Sequence, residues 1–206
     1  MSEVETVNHA KKPEDILPKI WTMLETGATN RKVPFHTPVF GTVFDNKPQL
    51  RTVVLRKFER ESRNIIWHSD LRSPKIEELK LNGQTSYLFY DAPEKIQLRV
   101  LTESTIHAGD DLAQTQWEKT SLFSRRCYCG YAPSQTSEEP TSGLPDFLEK
   151  RQPTEEESEQ LGRENFCVIN SVITEIDCLE LFMEGHRRSL FNWDANGDLS
   201  TTWLNP

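Results

Sequence analysis

Apolar and polar residues alternate along most of the chain, and this period of two predicts a protein built mainly from β-strands. Between residues 94 and 102, Ile96, Leu98 and Val100 alternate with Gln97 and Arg99. The same pattern predicts strands over 35–44, 50–58, 65–68, 85–90, 94–102, 166–176, 178–183, 189–193 and 200–204. We therefore expect an antiparallel sheet completed by a C-terminal meander.

Helical spacing of apolar residues predicts a smaller set of peripheral helices, over 13–28, 73–81, 110–123 and 153–163. The second of these begins at Ser73-Pro74, a typical N-cap followed by Pro at the first helical position. Asn82-Gly83 predicts a left-handed cap at its end. Residues 132–153 are rich in Pro, Ser, Thr and Glu, which indicates a long loop.

Two short polar segments predict turns between strands. Residues 45–48 carry the turn residues Asp, Asn and Pro. Residues 194–198 resemble a calcium-binding loop in composition but lack its length and its final Glu. A hairpin turn containing Asn-Gly is therefore the better interpretation.

Length and charge limit the classes of function. A chain of 206 residues suits a flexible N-terminus over 1–12 and a single domain over 13–206. The formal net charge of −8 argues against general nucleic-acid binding, which needs a basic face. The sequence shows neither an apolar run of membrane-spanning length nor an apolar signal core, so we expect a cytoplasmic protein that does not enter the membrane. No Cys or His pattern has metal-ligand spacing, so we expect no metal site.

The richest candidate chemistry lies in residues 51–75. Arg51 and Arg56 flank a run of aliphatic residues, and a second predicted strand leads into a group of donors and acceptors. That group consists of His68, Ser69, Ser73 and Lys75. A helix N-terminus carries unpaired N–H groups and partial positive charge, which favours an anion beside Lys75. The segment therefore predicts a phosphate site, although a solvated surface hairpin would contain the same residue types.

These motifs resemble those of the pyridoxamine 5'-phosphate oxidases and their FMN-binding split-barrel relatives. The shared pattern is an Arg that opens an aliphatic strand, a hydroxyl on the next strand, and a Ser-x-Lys helix start. The resemblance implies a mainly β, antiparallel split barrel with peripheral helices that binds FMN at a homodimer interface. It implies the following cofactor-binding residues: Arg51, Thr52, Val53, Val54, Arg56, His68, Ser69, Ser73, Lys75, Gln97, Gln135 and Arg188.

The same resemblance implies a flavin-dependent oxidoreductase acting on a small molecule. No obligatory protein base is evident, and the candidates for catalysis are Arg56, His186 and Arg188. The chain departs from the family pattern on the substrate side, because Pro74 and Glu184 replace arginines. The Tyr, Arg and Ser that hold the substrate phosphate are not found at their usual spacing; Trp117, Ser121 and Arg125 stand in that region.

Two other functions remain open at the level of sequence. The protein could store or sense FMN without catalysis. It could instead bind haem, as related split barrels do, through an axial His. The candidate ligands would be His68, His107 and His186.

Overall fold

A computed structural model describes residues 10–206 of the chain. Residues 1–9, which make up most of the predicted flexible N-terminus, lie outside the described residues. The strands, in chain order, are β1 Val39–Phe44, β2 Lys47–Thr52, β3 Lys57–Glu59, β4 Asn64–Asp70, β5 Gln84–Asp91, β6 Ile96–His107, β7 Phe166–Glu180, β8 Arg187–Trp193 and β9 Leu199–Leu204. The α-helices are α1 Leu17–Thr29, α2 Pro74–Leu81, α3 Asp111–Lys119, α4 Leu122–Arg125, α5 Asp146–Glu149 and α6 Glu155–Gly162.

All nine strands join one antiparallel sheet in the order β2-β1-β5-β6-β7-β4-β3, with β8 and β9 continuing from β7. The long strand β7 pairs with β6 along one edge. Its other edge is shared, because residues 166–172 pair with β4 and residues 175–180 pair with β8. Within residues 10–206, no strand ladder joins the two ends of this path, β2 and β3. The prediction of a mainly β, antiparallel protein with peripheral helices is confirmed.

The burial of β5 and β6 follows the predicted alternation. Ile96, Leu98 and Val100 are fully buried, whereas Arg99 and Leu101 on the opposite face are exposed. The buried residues join a main core in which α1 packs through Ile20 and Leu24. A smaller core lies between the sheet and α3, and it contains Ile66, Ala113, Trp117, Tyr128, Phe166 and Val168.

The predicted strand 50–58 is wrong as a single element, because the chain changes strand partners within it. β2 ends at Thr52 and β3 begins at Lys57. Between them, the Val53 amide donates to the Pro38 carbonyl and the Leu55 amide to the His36 carbonyl, beyond the start of β1. Arg56 then donates to the carbonyl of Ile66, on β4. The segment therefore crosses from the β1 side of the barrel to the β4 side.

Several other boundaries also differ from the predictions. The strands predicted over 166–176 and 178–183 form one strand, β7, which ends at Glu180, because Asp177 between them pairs with Arg99 on β6 and with Leu190 on β8. The predicted helix 110–123 is broken at Thr120, and Ser121 caps a separate helix α4. A 3-10 turn over Pro34–His36 replaces the start of the first predicted strand. Asn82 is extended, with φ −151°, so the predicted left-handed cap is wrong.

Both predicted hairpin turns are confirmed. Asp45 and Asn46 adopt φ values of 51° and 56°, which the turn between β1 and β2 requires. Gly197 adopts φ 84° in the turn between β8 and β9. Of the helices in the described residues, none is long and apolar enough to cross a membrane.

Candidate functional site

The predicted phosphate residues converge at the N-terminus of α2. Lys75 Nζ lies 2.6 Å from Ser73 Oγ and 3.4 Å from Ser69 Oγ. Burial and the neighbouring charge of Arg51 lower the pKa of Lys75. Four of the predicted residues, on β2, β4 and the start of α2, therefore form one cluster, which we call the phosphate cluster: Arg51, Ser69, Ser73 and Lys75.

Arg51 is held from one side by groups on three elements. Its Nη1 donates to the Gln49 carbonyl at 3.1 Å and to Thr42 Oγ at 2.5 Å. Its Nη2 donates to the buried carboxylate of Glu78, on α2, at 2.6 Å. A guanidinium has five N–H donors in a rigid fork, so Nε and one hydrogen of Nη2 are left to bind a ligand. The contacts thus fix the side chain while a two-donor edge stays available.

Ser73 occupies the N-cap position of α2, and Pro74 follows it at the first helical position, as predicted. The Ser73 side chain makes no cap hydrogen bond to the helix, and its Oγ contacts Lys75 instead. Pro74 has no N–H and the Ile76 amide donates to the Ser73 carbonyl, so within the described residues the Lys75 amide is an N–H of the first turn that has no backbone partner. This arrangement suits an anion that binds the helix N-terminus and the ammonium group together.

The backbone of the crossing segment has its own binding capacity. The amides of Val53 and Leu55 point into the sheet, so the amide of Val54 between them points to the other side. Among residues 10–206, the Val54 amide has no backbone partner. Thr52 closes β2, which lies at the end of the strand path. Residues 52–54 therefore present backbone groups at an open edge, as the resemblance to FMN-binding proteins implies.

His68 does not join the phosphate cluster, although it precedes Ser69 in the chain. Successive side chains of a strand point to opposite faces, and His68 faces α3 and the smaller core. Its Nε2 lies 3.3 Å from Gln116 Oε1, and its ring packs edge-on against Phe166 at 4.9 Å between centroids. Burial, aided by the charge of Arg56, lowers the pKa of His68 to about 4.

His68 lines a cavity of about 340 Å³ that we call the cationic pocket. Its other lining residues are Arg31, Arg56, Lys57, Gln116, Lys119, Thr120, Ser121 and Ser124. Lys57 forms an ion pair with Glu59. Within the described part of the chain, Arg31, Arg56 and Lys119 have no acidic partner, and the pocket lining contains no acid. A concave site with three unpaired cations is suited to an anionic small molecule.

Sequence reasoning identified Arg56 and His68 but missed the rest of this pocket's charge. Arg31 comes from the loop after α1, and Lys119 ends α3, so no local spacing connects them with Arg56. Of the residues noted after Gln97, only Ser121 lines the pocket. Trp117 is fully buried, and Arg125 donates to its carbonyl oxygen from Nε and Nη2. These two residues hold α3 and α4 together.

Gln97 and Arg188 lie on the outer face of the sheet. They occupy one row across β6, β7 and β8, because Leu179 pairs with both of them. Arg188 forms a two-pronged ion pair with the buried carboxylate of Asp177, at 2.8 and 2.6 Å. Arg99 Nη1 lies 3.3 Å from the same carboxylate. No hydrogen bond or ion pair among residues 10–206 joins this group to the phosphate cluster.

The same outer face carries large exposed apolar side chains. Leu88 and Tyr90 on β5 are 39% and 49% exposed, and Leu101 on β6 is 45% exposed. Tyr90 pairs with Gln97, and Leu88 with Arg99, so these apolar side chains adjoin the polar row. Adjacent exposed apolar side chains of this size typically mark an interaction surface.

The last two predicted residues lie on exposed loops. His186 is exposed in the turn before β8. Gln135 is exposed in the loop 132–145, whose base is closed by a hydrogen bond from the Tyr131 amide to the Gly143 carbonyl. Neither residue contacts the phosphate cluster. Among the described residues, no group of three His, Cys, Asp or Glu side chains could hold a metal ion.

Solved structures identify the fold. A pyridoxamine 5'-phosphate oxidase-related, FMN binding protein from Nostoc punctiforme PCC 73102 matches with a TM-score of 0.70 and 20% identity, over 97% of this chain and 99% of that chain. PhzG from Burkholderia lata 383, solved with tetrahydrophenazine-1-carboxylic acid, matches with a TM-score of 0.68 and 17% identity, over 97% and 95%. A Clostridium acetobutylicum protein related to general stress protein 26 has a TM-score of 0.51 and 9% identity, over 93% and 96%. The predicted split-barrel fold is confirmed.

A family model matches part of the sequence. Residues 18–108 match the model described as pyridoxamine 5'-phosphate oxidase, FMN-binding domain. The matched part includes Arg51 to Lys75, the segment that carries the resemblance drawn from the sequence. No curated protein matches the chain in sequence.

Proposed function

We propose that the protein binds FMN in a homodimer and acts as an oxidoreductase on an anionic small molecule. The observation that carries the proposal is the convergence of Arg51, Lys75, Ser69 and Ser73 at the N-terminus of α2. Two cations, two hydroxyls and a helix terminus match the donor set that binds a phosphate monoester. The Val54 amide and its neighbours would contact the isoalloxazine ring from the open edge.

The homodimer accounts for the placement of Gln97 and Arg188. Both lie on the outer face of the sheet, next to the exposed side chains of Leu88, Tyr90 and Leu101. A second copy packed against this face would bury those apolar side chains. It would also bring Gln97 and Arg188 to a flavin that is bound mainly by the other subunit.

The proposed chemistry divides between the cofactor and the chain. Bound FMN would supply the transfer of a hydride or of two electrons. The chain would hold its phosphate, exclude water and place a cation near the ring, where Arg56 or Arg188 would stabilise negative charge on the reduced flavin. Arg31, Arg56 and Lys119 would bind the negative charge of the substrate. The carboxylic acid present in the PhzG structure is an anionic small molecule of this kind.

The first test is equilibrium binding of FMN and of riboflavin, which lacks the phosphate. We expect FMN to bind more tightly, and we expect Lys75→Ala to weaken FMN binding by about 10- to 100-fold, as the loss of a charge-assisted contact predicts. Riboflavin affinity should change little. Lys80→Ala is the matched control, because Lys80 is exposed on the same helix and pairs with Glu77. Equal FMN affinity in both variants would contradict the phosphate site.

The second test addresses the dimer and the reaction. Leu101→Glu should produce a monomer in light scattering and lower the FMN content. The control is Leu161→Glu, because the Leu161 side chain on α6 is also exposed, at 39%, and its replacement should change neither property. A wild-type monomer with full FMN content would contradict the interface. Anaerobic bleaching of the flavin absorbance by anionic substrates would support the oxidoreductase. Its absence across a broad panel of such compounds would favour flavin storage.

A further inference from the structure

His68 is oriented by groups on α3 and β7. Its Nε2 lies 3.3 Å from Gln116 Oε1, and its ring rests against Phe166. An amide oxygen only accepts hydrogen bonds, so Nε2 carries the hydrogen of the neutral ring. The lone pair is therefore on Nδ1, which is the nitrogen that can take up a second proton.

The charges around this ring are mainly positive and uncompensated. Arg31, Arg56 and Lys119 come from three separate elements and have no acidic partner among residues 10–206, and Lys57 is paired with Glu59. Burial disfavours a positive imidazole, and so does the neighbouring charge of Arg56. Both effects act in the same direction on the pKa of His68, which lies at about 4.

Two acids that lie close to His68 along and across the strands are already paired. Asp70 lies two positions along β4 and binds Arg72 through both carboxylate oxygens, at 3.0 and 2.7 Å. His107, in the same sheet row across β7, is bound by Asp110. From α3, α4 and the turn between them, the pocket lining receives Lys119 and the neutral groups of Gln116, Thr120, Ser121 and Ser124, whereas Asp111 and Glu118 of α3 do not line it. An anion that enters the cationic pocket would thus bring the first uncompensated negative charge to His68.

We infer that His68 is the proton acceptor of the cationic pocket. When an anion binds to Arg31, Arg56 and Lys119, the imidazole of His68 takes up a proton from solvent at Nδ1. The inference rests on the anionic-substrate part of the proposed function. The bound anion offsets the cations and offers the imidazolium a partner, which favours the charged ring. Anion affinity then increases as the pH falls through the raised pKa of His68 in the complex toward its pKa of about 4 in the empty pocket, and His68 reports whether the pocket is occupied.

The experiment is a titration of the histidine side chains by NMR, using the flavin-loaded protein from pH 3 to pH 8. Sodium sulfate is the probe, because sulfate does not titrate in this range, and sodium chloride at equal ionic strength is the reference. His68→Gln assigns the resonance. We expect saturating sulfate to raise the pKa of His68 by about one unit or more, as a close opposite charge does. The other histidines should shift less.

Two variants test whether the pocket cations carry the coupling. Arg56→Gln combined with Lys119→Gln should raise the pKa of His68 in chloride and remove its dependence on sulfate. Lys57→Gln is the matched control, since Lys57 lines the same pocket but is paired with Glu59. We expect this control to keep most of the sulfate-induced shift.

The outcomes separate the inference from the function on which it rests. If sulfate perturbs the pocket resonances in a saturable way while the pKa of His68 stays constant, the inference is overturned and the anionic pocket stands. If sulfate perturbs no pocket resonance, both the anionic-substrate proposal and the inference fail. Neither result changes the FMN-binding test, which depends on the phosphate cluster alone.

Discussion

The phosphate cluster and the cationic pocket use arginines only five positions apart, Arg51 and Arg56, in opposite ways. Arg51 is half-buried and held by Thr42, Gln49 and Glu78 before any ligand arrives. Arg56 is exposed and has no acidic partner among the described residues. The first arrangement suits one fixed group, such as a cofactor phosphate. The second leaves the charge adaptable, as a site for exchangeable substrates requires.

The difference predicts opposite stability effects for the two arginines. Arg51→Met should lower the free energy of unfolding by about 2 to 3 kcal/mol, because it leaves the carboxylate of Glu78 buried without its cation. Arg56→Met, at an exposed and unpaired position, should stay within about 0.5 kcal/mol of the wild type. Denaturant unfolding of both variants measures the contrast.

A double variant sharpens this result. Arg51→Met with Glu78→Leu removes the unpaired charge and should recover most of the lost stability, while FMN binding stays weak. If Arg51→Met is as stable as the wild type, the ion pair is not part of what holds the cluster together. If the double variant binds FMN normally, Arg51 does not contact the phosphate.

A second prediction separates the two sites by destabilising the helices that line only the cationic pocket. Arg125, the last residue of α4, is almost fully buried and donates to the Trp117 carbonyl on α3. Its guanidinium carbon lies 4.7 Å from the centroid of the Trp117 ring. Arg125→Ala should cost about 2 kcal/mol of stability, since it removes the contact with the ring and the two hydrogen bonds to the carbonyl, which keeps only the Thr120 amide as a donor within residues 10–206. Because α3 carries Gln116 and Lys119, sulfate binding should weaken while FMN binding changes little. Arg126→Ala, at the next position, is the control.

The smallest effect concerns His68 in acid. Burial lowers its pKa in the folded protein to about 4, from the ordinary value of 6.5. A depressed folded pKa gives stability that is present above the unfolded pKa and is lost as the pH falls toward the folded pKa. Between pH 7 and pH 5 the wild type should therefore lose about 1 to 2 kcal/mol more than His68→Gln.

Unfolding curves of both proteins at the two pH values measure this difference. Equal losses would mean that the imidazole is not held neutral by its surroundings. The same comparison in sulfate should give a smaller difference, because a bound anion would favour the charged ring.

The phosphate cluster could be predicted because most of its members are close in sequence. Ser69, Ser73 and Lys75 lie within a strand end and a helix start, whose local geometry brings their side chains together. Arg51 was found through the family motif. Glu78 was missed, although one helical turn after Lys75 places it on the same side of α2.

The cationic pocket could not be predicted in the same way. Arg31, Arg56 and Lys119 meet only after α3 packs on β4 and β7, and no sequence spacing records that contact. The position of His68 could not be predicted either, because adjacency to Ser69 in the chain does not imply adjacency of the two side chains in the fold. The strand places the two side chains on opposite faces.

The sequence by itself determined the sheet-forming pattern, the start of α2 and the family motif from Arg51 to Lys75, because these depend on local spacing and helix capping. Only the tertiary structure decided where the chain changes strand partners after Thr52, which face His68 occupies, and which cations remain unpaired. Those features depend on pairing between strands such as β4 and β7, about a hundred residues apart in the chain. Such pairing is set by the packing of the whole core, and no short segment encodes it.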